Sequence, residues 1–157
     1  MSIRLISVLL LALSLTACGF HLRGSFVMPD SLDSVSIEGG EADFNEALEA
    51  RLVRAGSTIS SGDDATVVQI NNLNYLSSVS KTDALGRATS YTYHYNLDFS
   101  VIDGEGNVLQ QPTAITQKRT QEYDPNQELQ AQQEAEFLKE KMQQDLISQL
   151  LRRLSRL

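Results

Sequence analysis

From Tyr91 to Val101 apolar and polar residues alternate without a break. Tyr91, Tyr93, Tyr95, Leu97, Phe99 and Val101 hold one parity, and Thr92, His94, Asn96, Asp98 and Ser100 hold the other. Side chains of a strand point to opposite faces in turn, whereas those of a helix recur about every 3.6 residues. A period of two held this long therefore predicts an extended strand, over 88–102, with one aromatic, apolar face and one polar face. The first face has to be buried under another layer, and the second is left to water.

The flanking sequence supplies partners for this strand. Asp103-Gly104-Glu105-Gly106-Asn107 is a tight connection with two glycines, and 108–121 returns as a strand. Pro112 within it marks an edge position or a bulge, since proline cannot donate to a ladder. Upstream, 67–80 reads as a long strand and 83–86 as a turn. The phase of that strand slips: Val68 and Ile70 share one register, Leu73, Tyr75 and Val79 the other, which a bulge near Asn71-Asn72 reconciles. Ser34 to Glu38 alternates over a shorter length, and Gly39-Gly40 ends it.

Two helices complete the pattern. Phe44, Leu48, Leu52 and Ala55 fall on one face of a helix over 43–55, with Asp43 and Glu46 spaced as a capping box and Gly56 placed to stop it. Asp124-Pro125 opens the second, with Asp as cap and Pro at the first helical position. No Gly or Pro follows to the end of the chain. Ala131, Ala135, Leu138, Met142 and Leu146 make its apolar stripe, which Ile147, Leu150, Leu151 and Leu154 widen. A helix of about 30 residues, ~45 Å long, is expected to outrun the sheet beneath it. The order β-α-β-β-β-α predicts an α+β two-layer sandwich. Its sheet has about four strands, mixed or antiparallel, and both helices pack on one face.

The start of the chain does not belong to this domain. One positive charge, Arg4, precedes an apolar run over 5–15 broken only by Ser7 and Ser14. That run is too short for a bilayer, which needs ~20 residues, and fits the apolar core of a secretory signal. Leu15-Thr16-Ala17-Cys18 resembles the bacterial lipobox. That resemblance implies diacylglycerol transfer to the Cys18 thiol, cleavage of residues 1–17, and acylation of the new amino group. Two or more acyl chains make a stable anchor where one does not. An ordinary signal peptide beside a chance cysteine is the competing reading. Gly19 in place of the aspartate of inner-membrane lipoproteins implies the outer membrane, on its periplasmic face. The expected mature chain is 18–157, and loss of Arg4 moves the formal net charge from -7 to -8.

That acidity argues against a nucleic-acid partner, because phosphate contacts need a basic surface. No catalytic constellation stands out. His21 and His94 lack ligands at zinc spacing, and no metal or cofactor is expected. His94 and Asp98 share a strand face but no nucleophile motif accompanies them. Gly104-Glu105-Gly106 lacks the third glycine of a dinucleotide fingerprint. Two features remain. The tyrosine stripe reads as core, or, at Tyr91, as an apolar contact for a partner or acyl chain. The basic residues Lys81, Arg87, Lys118, Arg119, Lys139 and Lys141 read either as scattered solubilising charge or as a cluster at one end of the sheet that binds a phosphorylated or carboxylated ligand.

Cys18-Gly19-Phe20-His21-Leu22-Arg23-Gly24 closely resembles the start of the mature LPS-assembly lipoprotein family, LptE, also called rare lipoprotein B. The element order, the Gly-Arg-Ala-Thr-Ser-Tyr entry to the tyrosine strand and the Leu-Arg-Arg-Leu ending of the last helix agree. The resemblance implies a non-enzymatic role. Family members sit one-to-one in the lumen of the outer-membrane β-barrel LptD, assist its assembly and bind lipopolysaccharide. It also implies lipopolysaccharide contacts in the turn after the first long strand and on the last helix, where Lys81, Arg87, Lys139 and Lys141 are the nearest basic residues. A generic envelope or secretion-machine scaffold lipoprotein is the alternative.

Overall fold

The computed structural model describes residues 27–157. The expected signal over 1–17, Cys18 and the Gly19–Gly24 stretch lie outside the described residues. The chain forms β1 (Ser34–Gly39), α1 (Ala42–Arg54), β2 (Thr58–Ile59), β3 (Thr66–Thr82), β4 (Ala88–Ile102), β5 (Val108–Glu122) and α2 (Glu128–Leu154). The sheet order is β2-β1-β3-β4-β5. β1 lies parallel to both β2 and β3, while β3, β4 and β5 form an antiparallel meander. This is the expected α+β sandwich with both helices on one face, but with five strands instead of about four. The additional strand, β2, has two residues and pairs only at Ser34–Thr58 and Val35–Ile59. No periodicity can register over so short a segment.

The helix α1 starts at Ala42, with Glu41 as the last extended residue and no side-chain cap. The expected Asp43–Glu46 capping box is therefore not formed, and Asp43 sits in the first turn, where its charge suits the helix dipole. The cause lies upstream. Gly39 and Gly40 both have φ of +75°, which turns the chain so sharply that the helix begins a residue early. Asn45 then ties the helix to the strand end by donating to the Gly39 carbonyl at 2.8 Å. Asp124 caps as expected, accepting from the Asn126 amide at 2.9 Å, though the turn it caps is a 3-10 turn over Pro125–Gln127 that leads into α2.

Both anticipated irregularities occur. The β3–β4 register shifts between Ile70 and Asn72. The β4–β5 register shifts between Phe99 and Val101, opposite Thr113 and Gln110, so Pro112 sits at a bulge on an edge strand. The core lies where five strands meet both helices. Val35, Val68, Leu97, Phe99 and Val101 pack under Phe44, Leu48 and Leu52 of α1 and Met142, Leu146, Leu150 and Leu154 of α2, all buried.

Beyond Gly39–Ile70 the strand β1 is gone, so the distal half of the sheet has three strands. The first half of α2 crosses it. A 15-residue strand spans roughly 50 Å and the 27-residue α2 ~40 Å. The sheet thus outruns the helix, the reverse of the expectation, because a strand rises ~3.3 Å per residue against ~1.5 Å in a helix.

Candidate functional site at the distal end

Two hairpin turns share one construction. In Asp83–Arg87 and Asp103–Asn107 the aspartate accepts backbone N–H groups two and four residues on, at 2.7–3.0 Å, and a glycine with φ of +78° or +88° closes the turn. The Arg87 backbone N–H, then its guanidinium, hold the Asp83 carboxyl below the usual range. The Asn107 side-chain amide, then its backbone N–H, do the same for Asp103. These turns start the β3–β4 and β4–β5 ladders, which then run in register from Asn72 to Val79 and from Ser90 to Phe99, and those stretches set the two faces of the distal sheet.

One face is bare. Asn72, Asn74 and Ser78 of β3 stand in rows with Asp98, Asn96 and Thr92 of β4 and with Thr116 and Thr120 of β5. Asn96 donates to Asn74 at 2.8 Å, Asn72 to Asp98 at 3.3 Å, and Thr92 meets Thr120 at 3.2 Å. His94 lies between Leu76 and Lys118 on this face. Asp98 is four residues along the strand, roughly 13 Å away, so the two cannot form an acid–base pair. No group of acidic, histidine or cysteine residues able to hold a metal occurs among the described residues.

The other face carries the tyrosines. All five in the chain gather here. Tyr75 stacks on Tyr93 at 5.7 Å and meets Tyr95 edge-on at 5.4 Å; Tyr91 meets Tyr123 edge-on at 5.3 Å. Tyr93 and Tyr95 are core, as the stripe predicts, while Tyr91 is only half-buried. Burial pushes the phenols of Tyr75 and Tyr95 up to about 12. The Tyr75 hydroxyl has no hydrogen-bond partner among the described residues. Between Tyr91, Tyr93 and Tyr123 of the sheet side and Glu128, Ala131 and Gln132 of α2 lies a cleft of about 240 Å³. Its floor is fixed by Gln121, which accepts from the Tyr93 hydroxyl at 2.8 Å and donates to the Ala131 carbonyl at 2.9 Å and the Glu134 carboxylate at 3.1 Å.

The basic residues are not gathered into one pocket. Lys81 lies on the bare face, paired with Glu122 at 2.9 Å, and Arg87 pairs with Asp83 at 2.7 Å in the turn. Arg119 faces α2 and pairs with Asp145 at 2.8 Å. Lys139 stands over the Tyr75 ring at 5.5 Å, on the opposite side of the sheet from Lys81. Lys141 is exposed on α2, and Lys118 makes no ion pair among the described residues. Sequence reasoning passed over Gln121, Tyr123 and Gln132. Gln121 had a visible signal: a polar residue at a core parity of β5, opposite Tyr91.

The family model for LptE, described as lipopolysaccharide-assembly, matches residues 30–154. None of the curated proteins compared with the chain matches it. Among solved structures the chain is similar to an uncharacterized lipoprotein B from Nitrosomonas europaea, with 22% identity, a TM-score of 0.74, and 87% of this chain and 90% of that one covered. A minor lipoprotein from Acinetobacter baumannii is 21% identical, with a TM-score of 0.67 over 79% and 91% of the two chains. The rare lipoprotein B from Shewanella oneidensis is 21% identical, with a TM-score of 0.62 over 77% and 89%. At these identities the likeness is one of fold.

Proposed function

The chain belongs to the LptE family of lipopolysaccharide-assembly proteins, and from that membership we propose that it is a non-enzymatic subunit of an outer-membrane lipopolysaccharide translocon. Lipid on Cys18 holds it at the periplasmic face of the outer membrane. The folded domain enters the lumen of an LptD-type β-barrel, one to one, supports the barrel's assembly and contacts lipopolysaccharide.

The observation that carries this reading is the bare sheet face. Asn72, Asn74, Ser78, Asn96, Thr116 and Thr120 present amides and hydroxyls along most of its length, beside the charged Asp98, Lys118 and the Lys81–Glu122 pair. The inner wall of a barrel of this kind is polar, so such a face exchanges its water for wall groups at little cost. For the ligand, Lys81 and Arg87 at the distal turn share their stretch of chain with the exposed apolar Val79 and Leu85, and Lys139 and Lys141 on α2 share theirs with the exposed Phe137. An anionic headgroup has to compete there with Glu122 and Asp83 for the first two.

Affinity purification of the lipidated protein from outer membrane tests the reading. A stable complex with one large β-barrel is expected, and depletion should leave that barrel misassembled. Normal barrel maturation without the protein overturns it and favours the scaffold lipoprotein. The double variant Lys81→Asp, Arg87→Asp is expected to fold and to bind lipopolysaccharide more weakly; unchanged binding moves the ligand elsewhere.

A further inference from the structure

We propose that the cleft between β4, β5 and the first turns of α2 binds a saccharide, taking one neutral hydroxylated ring. The proposal stands on the lining of the cleft and does not depend on the translocon reading.

At about 240 Å³ the cleft is smaller than the ~300–1,000 Å³ of pockets for drug-sized ligands. It has room for one ring and not for a cluster of acyl chains. Among the described residues its lining includes no Lys, Arg or His, and Glu128 adds a negative charge. A phosphate or carboxylate therefore finds no counter-charge there and one repulsive group. A purely apolar occupant would strip water from Glu128, Gln132 and the Ser77 hydroxyl without replacing its hydrogen bonds.

What the lining does supply is aromatic rings beside amide, carboxylate and hydroxyl groups. Tyr91 and Tyr123 stand at 85° to one another with centroids 5.3 Å apart, a corner of two walls. The face of an aromatic ring is the negative side of its quadrupole, and the C–H face of a sugar ring is weakly positive, so the two stack. The sugar hydroxyls then reach Glu128 and Gln132 as acceptors and donors at the rim. The floor is set before any ligand arrives, because the Tyr93–Gln121–Ala131 hydrogen bonds lock β4, β5 and α2 together. A preset site loses little ordering entropy on binding.

A periplasmic saccharide of this kind has two sources, the sugar core of lipopolysaccharide and the glycan of peptidoglycan. The chain has no tryptophan, so its fluorescence comes from its five tyrosines, of which Tyr91, Tyr93 and Tyr123 line the cleft. The test titrates the full-length lipidated protein, in a detergent without a sugar headgroup, with each of four probes. These are dephosphorylated core oligosaccharide, an N-acetylated muropeptide disaccharide, inorganic phosphate and decanoate. Saturable change with either sugar, unaffected by added salt, is the expected result, and the sugar that binds more tightly assigns the source. Tyr123→Ala should weaken it about five- to tenfold, the scale of one aromatic contact, with Tyr123→Phe retaining it. Gln132→Ala, at an exposed position, should weaken it without touching the fold. Saturation by phosphate or decanoate alone, no response to either sugar, or wild-type binding by the folded Tyr123→Ala and Gln132→Ala variants overturns the proposal. A barrel that still co-purifies in that case leaves the translocon reading intact.

Discussion

Replacing Gln121 with alanine should release the first half of α2 from the sheet. Gln121 is 3% exposed, and its side-chain amide spans three elements through the Tyr93 hydroxyl, the Ala131 carbonyl and the Glu134 carboxylate. Truncation strands the Tyr93 hydroxyl at a buried site, a cost of ~1–3 kcal/mol. Loss of the bonds to Ala131 and Glu134 adds about 1 kcal/mol, because both of those groups can turn to water. We expect a total near 2–4 kcal/mol. In a Tyr93→Phe background no hydroxyl is stranded, so the same change should cost only ~1–2 kcal/mol, a coupling of about 1–2 kcal/mol between the two sites. Urea unfolding followed by circular dichroism gives the four stabilities of the cycle. Amide exchange should accelerate over 131–138 and stay slow over 146–154, where Leu146, Leu150 and Leu154 are fully buried. A loss under about 0.5 kcal/mol, or strictly additive costs, would refute the idea that this amide is the tie.

Glycine substitutions should separate strain from contact. Gly39 and Gly86 both have positive φ, but a Cβ on Gly39 would press on the Ile70 carbonyl oxygen, whereas one on Gly86 meets open space. Gly86→Ala should therefore cost on the order of 1 kcal/mol, and Gly39→Ala at least ~1 kcal/mol more; thermal unfolding ranks them. Asp83 and Asp103 titrate below the ordinary carboxylate value of 3.8 in the fold. Their contribution to stability is thus full above that value and is lost as pH falls through the lower folded value. The stability gaps between wild type and Asp83→Asn or Asp103→Asn should close in acid, measured by urea midpoints against pH. Tyr75 and Tyr95, pushed up to about 12 from 10.0, act at the other end. Their contribution is full below 10 and is lost as pH rises toward 12. Tyrosinate absorbance should appear for these two only as the chain unfolds in alkali, and Tyr75→Phe should lessen the alkaline loss.

Local pattern carried most of the architecture. The alternation in β4, the phase slip in β3 and Pro112 in β5 predicted three strands, a bulge, and an edge position or a second bulge; the strands and the first bulge occur, and Pro112 lies at a bulge on an edge strand. Such features are legible because strand parity and the missing proline N–H act within a few residues of themselves. The Phe44–Leu48–Leu52 stripe likewise placed α1, although two left-handed glycines moved its start.

What chain order could not settle was which residues meet. The two-residue β2 exists only because β1 offers it a parallel edge. The long helix proved shorter than the sheet. Lys81 and Lys139, alike as basic residues in an acidic chain, came to lie on opposite faces, since one sits on the bare parity of β3 and the other hangs from α2 over Tyr75. The cleft needed three elements to converge, with Gln121 buried between them. The alternating strand thus fixed two faces locally, one aromatic and one polar, because neighbouring side chains must point apart. Which of its tyrosines became core, and which became the wall of a cleft, was decided by how far α2 reaches along the sheet.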